Sequence, residues 1–209
     1  MKKHMQYILI FLLASCLLNT ACKKDKYKIG GSLDQAKVNM TTYDYLKANQ
    51  LGLFDTLLLL IDKAGLKDMI NQGGITFFAP TDYSIHNYMV RKMYKGGFPA
   101  YTLDSMYKYD MNAFKDSLGL YIVKSTLSWG NISPTGMAYP TLVNDVQATV
   151  SNEVVTSSYL GYYNAVSVPP TIIFYNTLGQ KTRCQTFGVI TNTNVLGVLG
   201  NEHILFFNH

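Results

Sequence analysis

Hydrophobic positions fall into distinct regimes along this chain. Tyr7 to Leu18 is an unbroken apolar run behind the basic start Met1-Lys2-Lys3-His4. Residues 23–40 then carry charge, Gly30-Gly31 and no apolar period, which predicts a linker. Helix-period spacing begins after it. Thr41 or Thr42 is placed to cap a helix reaching Asn49. From Leu53 to Ala64 the residues Phe54, Leu57, Leu58 and Ile61 share one face, and Gly65 is placed to end that helix. Ile75-Thr76-Phe77-Phe78 is a β-branched and aromatic run stopped by Pro80, the pattern of a buried strand. Thr81 or Asp82 then caps a helix through about Met93, with Ile85, Met89 and Val90 inward. Gly96 to Thr102 reads as loop, and Asp110 is placed to cap a helix through Val123.

The period changes after Thr126. Leu142 to Val150 nearly alternates, with Val146, Ala148 and Val150 on one face. Thr171–Tyr175, Cys184–Ile190 and His203–Phe207 are further strand candidates between Gly and Asn turns. Helices mainly in the first half and strands mainly in the second argue for an α+β domain, its helices packed on a sheet. No internal repeat suggests a second copy.

Composition and charge narrow the function classes. The chain has 209 residues, of which 48% are hydrophobic and 15% charged, which suits one folded domain behind a leader and a linker. The formal charge is +5, but Lys2 and Lys3 lie in the leader, and Lys23, Lys24, Lys26 and Lys28 directly follow Cys22. The folded part is then nearly neutral, which argues against a nucleic-acid partner.

The apolar run at 7–18 is shorter than the roughly 20 residues a permanent membrane helix needs, so it reads as a secretory signal. Two cysteines fit a bacterial lipobox. Leu13-Ala14-Ser15-Cys16 matches letter by letter, whereas Leu18-Asn19-Thr20-Ala21-Cys22 is looser. Cleavage before Cys22 removes the whole apolar run and leaves a polar tether at once, so Cys22 is favoured and Cys16 is the alternative. The expected organisation is a signal peptide over 1–21, lipidated Cys22 and tether over 22–40, and a domain over 41–209. Lipidation implies a chain anchored in the cell envelope, with Lys23 and Lys24 beside the head groups; the outer membrane of a Gram-negative bacterium is the expected place, and the residues after Cys22 do not decide between inner and outer membrane.

Candidate chemistry is sparse. Cys184 is alone in the domain, and Thr182-Arg183-Cys184-Gln185-Thr186 offers no base to activate it. Asp82 and His86 stand at i, i+4, a spacing that seats a metal or a base and its orienter, and equally that of a surface pair beside a helix start. Glu202-His203 and His209 suggest no site. Phosphate loops, nucleophile elbows and zinc motifs are absent from the sequence, so no catalytic, metal or cofactor residue is expected. Tyr159, Tyr162 and Tyr163 cluster ahead of Val168-Pro169-Pro170 as a candidate interaction surface for a protein or glycan, or as cover for an insertion's own small core.

Ile75-Thr76-Phe77-Phe78-Ala79-Pro80-Thr81-Asp82 resembles the first signature of fasciclin-like domains, a hydrophobic strand running into Phe-Ala-Pro-Thr-Asp. Ile190 to Leu199 looks like the second signature, with Val195 where Gly is usual and Gly197 near where His is usual. The Tyr-His pair between the signatures looks like Tyr121-Ile122, without its His. The resemblance spans roughly residues 41 to 209 and implies a single fasciclin-like domain serving adhesion or protein–protein contact without catalysis. The missing His argues against the integrin contact associated with that pair in animal members. Phe78, Ala79, Pro80, Thr81 and Asp82 are read as a fold motif, with Thr81 or Asp82 accepting amide protons at the start of the next helix.

Overall fold

The computed structural model describes residues 37–154 and 171–205. The first half supplies helices: α1 (Thr42–Lys47), α2 (Asp55–Ala64), α3 (Lys67–Ile70), α4 (Asp82–Gly96), α5 (Leu103–Ser105) and α6 (Met111–Leu118). Between α5 and α6 the chain widens into a π-turn over Met106–Asp110. Strands follow as β1 (Thr76–Ala79), β2 (Ile122–Val123), β3 (Met137–Pro140), β4 (Gln147–Val154), β5 (Thr171–Thr177), β6 (Gln180–Ile190) and β7 (Val195–Leu199).

Local chemistry accounts for the helix ends. Thr41 caps α1 by accepting the Asp44 amide, and Gly65 closes α2 in the left-handed conformation with φ 70°. Gly97 closes α4 in the same way, so this helix runs past the Met93 expected as its end. Asp110 does not cap a helix. It sits buried on the π-turn, accepting the hydroxyls of Tyr88 (2.7 Å) and Tyr101 while the Lys92 ammonium lies 3.4 Å away. A wide turn turns that carboxylate inward, and the helical stretch starts earlier, at Leu103.

The strands form one seven-stranded sheet in the order β2-β1-β7-β6-β5-β4-β3, with only β1 and β7 parallel. Its two outer strands meet. Val123 bridges Thr141, the Lys124 amide donates to the Pro140 carbonyl at 2.9 Å, and the Leu142 amide donates to that of Ile122 at 3.0 Å. The sheet is therefore nearly barrel-shaped, which leaves little open edge. β4 lies later than the stretch expected from alternation, with Ala148 and Val150 inward as read and Val146 in the preceding turn. The expected strand at His203–Phe207 is not formed over its described part, 203–205.

The core sits where β1 and β7 lie under the helices. Leu57, Leu60, Ile61, Phe77, Phe78 and Leu196 are fully buried there. β1 is buried on both faces, which is why it lacks alternation. Residues 37–40, assigned to the tether by sequence, touch the domain: Lys37 bridges Ile190 in parallel, and the Val38 amide donates to the Ile190 carbonyl at 2.9 Å.

Candidate functional site

The signature residues come together as architecture. Phe78 stacks on Tyr175 (ring centroids 4.3 Å) and on Phe187 (5.9 Å), and Tyr175 donates its hydroxyl to the Leu120 carbonyl. Gly197 lies beneath two of these rings, so a Cβ there would approach both Phe78 and Phe187 to 3.1 Å. A side chain at position 197 would therefore have to displace both rings.

Thr81 and Asp82 correct the expectation placed on them. Neither side chain caps helix α4; the Thr81 hydroxyl donates to Asn201 Oδ1 at 3.2 Å. Asp82 instead accepts the amides of Thr56 (2.8 Å) and Leu57 (3.0 Å), and its own amide donates to the Leu53 carbonyl at 2.8 Å. Helix α2 starts after Phe54, which has no side-chain acceptor, so Asp82 supplies from across the fold the cap that the local sequence lacks.

The second signature is a staple. The Asn194 side chain donates to the carbonyls of Ile70 (2.8 Å) and Gln72 (3.0 Å) and accepts the Thr42 hydroxyl at 2.6 Å, tying α1 and α3 to the β6–β7 turn. Thr191 contributes its hydroxyl to the Asn194 carbonyl at 3.0 Å.

A histidine missed by sequence reasoning completes the core. Tyr121, next to Ile122 in the eroded Tyr-His position, shares a buried 2.8 Å hydrogen bond with His203 Nε2. Nδ1 of the same ring lies 3.0 Å from the Thr182 hydroxyl and 3.3 Å from the Gln180 amide nitrogen. Burial pushes the His203 pKa down to about 3, which keeps the ring neutral. The signal for this pairing is three-dimensional, since neighbours in the chain do not reveal it.

Asp82 and His86 do not form a pair that seats chemistry, because Asp82 is spent on amides and His86 is exposed. Among the described residues no group of three or more His, Cys, Asp or Glu is placed to hold a metal ion. Cys184 is buried and its thiol is pushed up by burial and then by Glu202, which disfavours the reactive thiolate. Cys16, Cys22, Tyr159, Tyr162 and Tyr163 lie outside the described residues.

The comparisons with known proteins agree with this geometry. The family model for the fasciclin domain matches residues 52–172, and no curated protein matches the chain. Among solved structures, a FAS1 domain pair from the insect cell adhesion molecule fasciclin I is similar at a TM-score of 0.52 and 16% identity. The match covers 75% of this chain and 46% of that one, so the chain spans less than half of its length. At that identity the likeness speaks for the fold.

Proposed function

We propose that this chain, which belongs to the fasciclin domain family, is a lipid-anchored envelope protein serving adhesion or protein–protein contact without catalysis. The observation that carries this reading is the shared fold with a domain pair of a cell adhesion molecule. The use of the signature residues supports it: Phe78 is packed, Asp82 caps and Asn194 staples, so these side chains stabilise a platform and present nothing to a substrate. Function then falls to the surface of a rigid scaffold.

The anchor belongs to the same proposal. A leader over 1–21 is removed, Cys22 is acylated, and the lysines after it lie against anionic head groups of the outer membrane. The partner is an envelope or extracellular protein or glycan. Cells producing the chain should adhere to a matrix-coated surface better than cells lacking it, and Cys22→Ser should release the folded protein and abolish that gain. Equal adhesion with and without the chain would refute the reading.

A further inference from the structure

Two turns at one end of the sheet hold residues in a backbone shape that their side chains resist. β5 and β6 are joined by Leu178 and Gly179 alone, with Thr177 paired to Gln180 across the turn. Both joining residues have positive φ, 49° for Leu178 and 79° for Gly179, as a two-residue hairpin of type I′ demands. Asn, Asp or Gly suits the first of these positions, and a bulky Leu does not. Asp145, in the turn between β3 and β4, is left-handed too, at φ 61°. Every other positive φ among the described residues belongs to a glycine.

The two turns are neighbours. Pro140 pairs with Gln147 across the first, and β4 runs antiparallel to β5 with Thr149 opposite Asn176, so both turns emerge from the same end of the sheet. Two strand spacings put them about 10 Å apart. Leu178 is 55% exposed there, so burial does not offset its strain. Asp145 borders an open cleft of about 530 Å³ with Lys124, Asn144 and Gln147. Neither Asp145 nor Lys124 joins an ion pair among the described residues. The chain enters the domain at the opposite end of β6, where Lys37 bridges Ile190. β6 has 11 residues, which sets the turns roughly 30 Å from that entry at about 3.3 Å per residue.

We propose that these two turns are the surface on which the domain binds a protein partner, with Leu178 as the apolar anchor and Lys124, Asn144, Asp145 and Gln147 as a polar rim. This names the contact face and the partner class for the adhesion reading and rests on it. Strain kept at an exposed tip serves something other than the fold. An apolar residue beside polar and charged groups is the build of a protein–protein contact. A glycan would want an aromatic ring to stack on, and neither Thr141–Val146 nor Leu178-Gly179 holds one. A membrane is opposed by position, because the turns lie at the end away from the entry of the chain. It is also opposed by Asp145, which anionic head groups repel.

The test uses cells producing the full chain, settled on a coat of matrix extracted from the same culture. The coat is used as prepared, after proteinase K or after periodate, and is washed before the cells are added. Leu178→Asn should raise the thermal midpoint of the purified full chain by about 2–4 °C, because Asn accepts the left-handed turn. The same variant should adhere about tenfold less, through loss of one buried apolar side chain at the contact. Leu59→Gln, at an apolar residue 51% exposed on helix α2, should leave adhesion unchanged. Proteinase K should abolish the adhesion that the chain adds, and periodate should spare it. Full adhesion in Leu178→Asn, a lowered midpoint in that variant, equal losses in both variants, or adhesion removed by periodate and spared by proteinase K overturns the proposal. If Leu178→Asn adheres like wild type while cells with the chain still adhere better than cells without it, the contact face falls and adhesion stands. If cells with and without the chain adhere alike, both fall.

Discussion

Tyr121 and His203 lie 82 positions apart in the chain and share a buried hydrogen bond of 2.8 Å. The bond holds the segment after β7 onto the layer between helix α6 and β2, and both ring nitrogens of a neutral imidazole have a partner. Tyr121→Phe should cost roughly 1 kcal/mol, because it removes a buried hydrogen bond. His203→Ala should cost more, since it adds a cavity to the lost bonds. Urea unfolding reads both as a lowered midpoint with unchanged slope.

Acid should unfold the domain in part through the same residue. The folded pKa of His203 is about 3, below the ordinary 6.5. Between these values the unfolded chain binds a proton that the folded one does not, so stability falls as pH drops through that window. Above pH 6.5 the contribution is fully present. Glu153, held below the usual carboxylate range first by Lys181, acts in the same direction only near and below pH 4.5. Stability measured between pH 6.5 and 5 should therefore decline in wild type, and the decline should flatten in His203→Gln.

Asp82 caps α2 from a position 26 residues beyond Thr56 in the chain. Asp82→Ala should destabilise by about 1–2 kcal/mol, as loss of a charged helix cap does. Hydrogen exchange should then rise first at the amides of Thr56 and Leu57. If protection is lost instead at the start of α4, the capping assignment is wrong.

Gly197 lies under Phe78 and Phe187, so Gly197→Ala should cost about 1–3 kcal/mol through overpacking. Gly130→Ala meets no atom within 4 Å and should be nearly neutral. Thermal midpoints of the two variants separate packing from any general intolerance of glycine replacement.

Much of the fold was readable in the sequence because the evidence was local. Phe54 to Ala64 carries its own apolar face and its Gly65 stop, and Ile75 to Pro80 its own strand and terminator. The misses share a physical origin in distance along the chain. Asp82 looks like the cap of the helix it begins, and only the packing of α2 against α4 gives it other amides. Asp110 looks like a cap until the π-turn aims it at Tyr88 and Tyr101. β3 went unread because the residues of Met137-Ala138-Tyr139-Pro140 are largely exposed and the stretch ends in proline, and β7 because Gly197 interrupts a strand buried along its whole length.

The central claim is an adhesive fasciclin domain held to a membrane by its own N-terminus. The intact mass of the protein extracted from cell envelopes tests it most directly. The account predicts a chain beginning at Cys22 and heavier than its residues by a glyceride and an acyl chain. A chain retaining Met1, or an unmodified one recovered from the soluble fraction, would contradict it.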